Sequence, residues 1–95
     1  MFRDLYHPAV KKDLKKLDST TRNVIKTEWI PAILKEPESG SELSGPLHGI
    51  RSFHFRIRST HYRIAYNVSE EEETVQVLMI GKRESFYKTL RRRLG

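Results

Sequence analysis

The stretch "SFHFRIRSTHYRIAY", residues 52–66, restricts the fold more than any other part of this chain. Phe53, Phe55 and Ile57 alternate with His54, Arg56 and Arg58, and Tyr62, Ile64 and Tyr66 alternate with Arg63, Ala65 and Asn67. A period of two is the pattern of a strand with one face in a core and the other in water. Two such runs joined by a few polar residues make a hairpin. A two-residue turn at Ser59 and Thr60 would set Arg58 opposite His61, Ile57 opposite Tyr62 and Arg56 opposite Arg63. The apolar residues then share one face on both strands, and two arginines meet on the other. Like charges directly across a strand pair are destabilising, so that face calls for a function.

The charge distribution points the same way. Residues 50–95 carry ten Lys/Arg and five Asp/Glu, and four of those acids sit together at Glu70–Glu73. Residues 1–49 are nearly balanced, and the whole chain has a formal charge of +6. An anionic partner follows, with nucleic acid first. There is no cysteine, so disulfides and thiolate metal sites are excluded. No apolar run reaches membrane-spanning length and no secretory h-region stands at the N-terminus, so a cytoplasmic protein without membrane contact is expected.

Along the chain, "FRDLYH" (residues 2–7) reads as a first strand, with Pro8 in the opening turn of a helix. Val10, Leu14 and Leu17 give that helix one apolar stripe, and its lysines a solvated face. Asp18 or Ser19 caps a second helix running to about Lys35, with Trp29 on its inner stripe. Pro31 lies inside it and predicts a kink near Thr27–Trp29. Residues 36–49 read as a loop anchored by Leu43 and Leu47. After the hairpin and the acidic turn, Val75, Val77 and Met79 alternate with Gln76, Leu78 and Ile80. That strand is apolar on nearly both faces and belongs in the middle of a sheet or beneath helices. Phe86, Leu90 and Leu94 give one face of a short C-terminal helix, and Arg91, Arg92 and Arg93 suit its negative dipole end. The expected class is α+β: an N-terminal strand, a two-helix hairpin, a three-stranded antiparallel meander and a short C-terminal helix, with helices on one sheet face and a basic surface on the other.

Candidate chemistry lies on that basic face. His54, Arg56 and Arg63 share it, Lys82 and Arg83 leave the end of the next strand, and Tyr87 follows one helical turn later. No carboxylate pair, Gly-rich phosphate loop or Ser/His/Asp arrangement accompanies them, and no cofactor is expected. Arginines, a histidine and a tyrosine suit RNA cleavage by the neighbouring 2′-OH. That reaction needs a base, cations for the phosphorane charge and an acid for the leaving 5′-oxygen. Arginine grips phosphate oxygens but, with a pKa above about 12, does not readily act as base. A histidine titrates near neutrality.

"LSGPLHGIRSFHFRIRSTHYRIAYNV" followed by "VQVLMIGKRESFYKTLRRRL" resembles the RelE/ParE superfamily of toxins from type II toxin–antitoxin modules. "HPAVKKDLKKLDSTTR" is similar to that family's paired N-terminal helices. The resemblance covers residues 1–95 as one toxin domain. It implies one of two activities: metal-independent cleavage of mRNA in the ribosomal A site, as in the RelE branch, or poisoning of DNA gyrase, as in the ParE branch. "GKRESFY" is closer to RelE. By that likeness Arg63 and Arg83 stabilise the phosphate transition state, and Tyr87 acts as base or stacking platform. His54 and Arg56 stand on the strand where RelE-like proteins often carry lysine, and a histidine there could serve as base or acid. Arg51, Arg58, Lys82 and Arg91 are the surrounding residues expected to hold RNA. A cognate antitoxin is implied as partner in a hetero-oligomer. It would cover basic surface and displace the C-terminal helix.

Overall fold

In the computed structural model, which describes residues 1–95, five strands form one sheet in the order β1-β5-β4-β3-β2. β1 (Arg3–Tyr6) runs parallel to β5 (Thr74–Lys82), and the remaining neighbours are antiparallel. β3 (Arg51–Ile57) and β4 (Thr60–Ser69) are the hairpin expected from the alternation. β2 (Ser41–Glu42) is an additional two-residue strand within the segment read as loop, paired to Ser52 and Arg51. Leu47 is buried and Leu43 packs beside it, so the two expected anchors do hold that loop.

Helices α1 (Val10–Lys15), α2 (Ser19–Val24) and α3 (Ile30–Lys35) cover one face. Asp18 caps α2 by accepting the Thr21 N–H at 2.7 Å. Arg22 donates to the Leu14 and Leu17 carbonyls at the end of α1, the first of which also accepts the Leu17 N–H. Between α2 and α3, residues Ile25–Trp29 widen into a π turn in which the Ile30 N–H reaches the Ile25 carbonyl. This is the kink expected from Pro31. With no N–H to give the Thr27 carbonyl, proline forces the preceding turn to open. Val10, Ile25, Ile33, Phe55, Ile64, Tyr66, Val75 and Val77 form the core beneath these helices, and Trp29 stacks on Phe55 at its edge.

Two details of the sheet differ from expectation. The hairpin turn is Arg58–Ser59, with Arg58 at φ 58°, and Ile57 pairs with Thr60. His54 therefore faces Arg63 and Arg56 faces His61. Moving the turn by one residue shifts the pairing by two, which leaves every apolar side chain on its face. It also removes the arginine–arginine pair. The second difference is a bulge in β5. Ala65 pairs with Met79 but Tyr66 pairs with Val77, so Leu78 is the extra residue. Beyond it the parity flips: Val75 and Val77 face α1–α3, Met79 joins Leu78 on the opposite face, and Ile80 returns to the helix side.

The opposite face is half covered by α4 (Phe86–Leu94). Phe86 and Leu90 pack on Ala65, Leu78, Met79, Leu47 and Ile50. The small side chain of Ala65 lets the helix lie close to β4. Leu94 does not continue this stripe; it is 40 % exposed. Arg93, expected as a dipole cation, instead forms a two-pronged ion pair with Asp13 at 2.7 and 2.8 Å. Asp13 Oδ2 also accepts the Ile80 N–H, and Arg93 donates to the Leu78 carbonyl. These bonds replace the ladder where β1 has run out at Tyr6, and they tie α1, β5 and α4 together at that edge.

The loop before β3 depends on Tyr66. Its hydroxyl donates to the Pro37 carbonyl at 2.7 Å and accepts from the Gly40 N–H at 2.8 Å. Tyr66→Phe leaves both groups without a partner and is expected to lower stability by about 1–3 kcal/mol. Urea unfolding would measure it, and an unchanged midpoint would contradict this role.

Candidate active site

The half of the sheet that α4 leaves bare is the end nearest the hairpin turn. The register arranges it in rows. Arg56, His61 and Arg83 form one row, the last joined by its backbone N–H to the His61 carbonyl at 3.0 Å. His54, Arg63 and Gly81 form the next. Ser52, Ala65 and Met79 form the third, under α4. Gly81 has no side chain, and the Phe86 ring packs against that position beside Arg63.

Tyr87, in the first turn of α4, closes the inner side of this surface. Its hydroxyl donates to Ser52 Oγ at 3.2 Å and lies 3.2 Å from His54 Nε2, which is itself 3.1 Å from Ser52 Oγ. The Arg63 guanidinium sits over the Tyr87 ring, 4.9 Å from its centre. Such a cation–π contact holds the cation without neutralising it. Phe86 meets Tyr87 edge-on and fixes its ring from the core side. His54 is thus held between a buried serine, a tyrosine hydroxyl and an arginine. Burial, and next the Arg63 charge, lower its pKa from the ordinary 6.5, which favours the neutral imidazole. Arg83 pairs only with its exposed neighbour Glu84, at 3.4 Å. Water screens that contact, and it competes weakly with an incoming phosphate.

The residues expected from the sequence divide accordingly. His54, Arg56, Arg63, Arg83 and Tyr87 come together. Arg91 lies next to them, lining with Tyr87, Lys88 and Arg92 a shallow hollow of about 550 Å³ on α4. Arg51, Arg58 and Lys82 are set apart. Arg51 points away from the site face and donates to the Glu38 and Gly40 carbonyls while pairing with Glu42. Arg58 lines a hollow with Asp18, Thr20 and Thr21 beside the helices. Lys82 pairs across β4 with Tyr62, a core residue of the helix side, and so emerges on that side. His61 and Ser52 belong to the site although sequence reasoning gave them no part. The two-residue register shift is what brings His61 opposite Arg56. No group of three or more His, Cys, Asp or Glu side chains is placed to hold a metal ion.

The sequence model of a family described as the ParE-like toxin of type II bacterial toxin–antitoxin systems matches residues 5–91. The chain belongs to this toxin family. Within the wider RelE/ParE superfamily, the toxin is 32 % identical to the mRNA interferase toxin RelE of Escherichia coli K12 over 74 residues, which cover 77 % of this chain and 74 % of that protein. Its fold is similar to a free, doubly substituted E. coli RelE, with a TM-score of 0.72, 26 % identity and coverage of 99 % and 98 % of the two chains. It is also similar to the toxin–antitoxin complex RelBE2 of Mycobacterium tuberculosis, with a TM-score of 0.71, 26 % identity and coverage of 86 % of the toxin and 98 % of that chain. The α+β architecture and the RelE/ParE membership expected from sequence are both borne out.

Proposed function

We propose that this toxin is an endoribonuclease that cuts messenger RNA in the ribosomal A site, by attack of a 2′-OH on its adjacent phosphate and without a metal ion. The observation that carries this reading is a histidine held by Ser52 and Tyr87 against a bare arginine surface. His54 takes the 2′-OH proton, with Ser52 and the Tyr87 hydroxyl orienting its ring. Arg63 and Arg83, with Arg56 beside them, meet the charge that grows on the phosphate. Preorganised cations in that position stabilise the transition state more than the ground state. Lys88 and Arg91 extend the cationic surface along α4 for the adjoining RNA. DNA lacks the attacking hydroxyl and is not a substrate.

The reading includes a cognate antitoxin. Its acidic or amphipathic segment would cover this basic face and bind in place of α4, which requires opening the Asp13–Arg93 pair. It also places the toxin in the cytoplasm with the ribosomes. The ParE-like description of the family keeps a second reading in view, non-catalytic inhibition of DNA gyrase.

Primer extension on a reporter message in a reconstituted translation reaction separates the two. Ribosome-dependent cuts within A-site codons that vanish with Arg83→Ala are expected. Intact message together with inhibited gyrase supercoiling would replace this reading with the second. The pH profile gives a further check. Because the His54 pKa is lowered, the base stays competent as pH falls to the ordinary histidine value, so kcat/KM is expected to drop only below 6.5. His54→Gln should remove that limb. A limb centred above 6.5 in the wild type would argue against His54 as base.

A further inference from the structure

Four residues at the centre of the bare face form an alternating square. His54 faces Arg63 and Arg56 faces His61, so the two histidines occupy one diagonal and the two arginines the other. Diagonal neighbours on paired strands stand about 7–8 Å apart at their backbones. That separation accommodates a phosphodiester with one imidazole at each end, while the arginines flank its non-bridging oxygens. Arg83 lies beside His61 on the third strand and adds a cation at the same end.

We propose that His61 is the general acid of the cleavage. The inference rests on the nuclease reading and deepens it. In the step, His54 accepts the 2′-OH proton and the 2′-oxygen bonds to phosphorus. The bond from phosphorus to the 5′-oxygen breaks, and His61 gives its proton to that oxygen. The products are a 2′,3′-cyclic phosphate and a free 5′-OH, with one proton taken up and one released. In-line displacement puts the attacking and leaving oxygens on opposite sides of phosphorus, so base and acid must stand at opposite ends of the site.

Elimination supports His61. The groups facing it are Arg56 on β3, Arg63 on its own strand and Arg83 after β5, with His54 across the diagonal. The arginines bind phosphate but do not readily release a proton, their pKa exceeding about 12. Tyr87 is bonded to His54 and Ser52 at the base end. Lys82 lies on the helix side of the sheet. An imidazole can transfer a proton at neutral pH, and His61 is exposed, with no hydrogen-bond or ion-pair partner for its ring to give up.

The test uses two messages that differ by one atom, with oxygen or sulfur bridging phosphorus to the 5′-carbon at the scissile position. Sulfur leaves as a thiolate and needs no acid. His61→Ala is expected to slow cutting of the oxygen message by about 10²–10⁴-fold and to cut the sulfur message at nearly the wild-type rate. His54→Ala should be slowed on both, because sulfur does not relieve the base. Equal slowing of His61→Ala on both messages, or none on either, would overturn the assignment to His61 and leave the nuclease reading standing. Failure of the wild type to cut either message would overturn the nuclease reading, and the assignment with it. Since His61 is exposed, the variant is expected to fold, and circular dichroism of the same preparation checks this.

Discussion

Arg63→Ala is expected to lower the rate of RNA cutting by about 10²–10³-fold, the usual cost of removing one preorganised group that meets transition-state charge. Arg63 has no ion-pair partner. Its guanidinium rests on the Tyr87 ring, 4.9 Å from the centre, and lies opposite His54. The substitution therefore removes a cation from the phosphate site and a cation–π contact that holds Tyr87 in place. It also removes one cause of the lowered His54 pKa, so the acid limb of the residual activity should move to higher pH. Single-turnover cutting of a ribosome-bound message across a pH series measures both effects. Arg63→Lys should recover part of the rate, since it keeps the charge but not the planar fork. Full activity in Arg63→Ala would remove it from the site.

The second large effect concerns stability. Asp13→Ala leaves the partly buried Arg93 guanidinium without its counter-charge and the Ile80 N–H without an acceptor. Removing one partner of a buried, hydrogen-bonded pair costs about 3–5 kcal/mol. That is a large share of the stability of a small domain, about 5–15 kcal/mol. Arg93 is in turn held by Asp13, whose hydrogen bonds raise the Arg93 pKa, so the guanidinium keeps its charge. Urea unfolding of Asp13→Ala should show a much lower midpoint. The double variant Asp13→Ala/Arg93→Ala should lose less than the sum of the two single changes, because the groups act as a unit. Additive losses would show that the pair is not coupled.

Much of this architecture is legible in the sequence. The alternation at 53–57 and 62–66 identifies the hairpin because only one face of each strand is apolar. Pro31 identifies the widened turn, since a missing N–H has a fixed consequence three to four residues earlier. What escapes sequence reasoning has equally definite causes. A hairpin turn displaced by one residue keeps the apolar parity, so hydrophobic pattern alone cannot place His61 opposite Arg56. The cost of setting Arg56 against Arg63 is the signal that favours the observed register. The bulge at Leu78 is hidden because apolar residues occupy both faces there. Arg51 shares the parity of Phe53 and Phe55, which marks it as lying off the basic face, but its carbonyl partners come from a loop without a regular pattern. Asp13, within "KKDLKK", has the sequence context of a solvated helix face. Its burial follows only from the point where β1 stops along β5, a relation between segments far apart in the chain.

Cleavage by a neighbouring hydroxyl can be tested by removing that hydroxyl. A ribosome-bound message would carry a single 2′-deoxy sugar on the 5′ side of the scissile phosphate, and an otherwise identical all-ribose message would be the comparison. The toxin is expected to cut the all-ribose message there, leaving a 2′,3′-cyclic phosphate, and to leave that bond of the deoxy message intact. Cutting of the deoxy message at the same bond and at a similar rate would contradict 2′-OH attack, and with it the roles given to His54, Arg63 and His61.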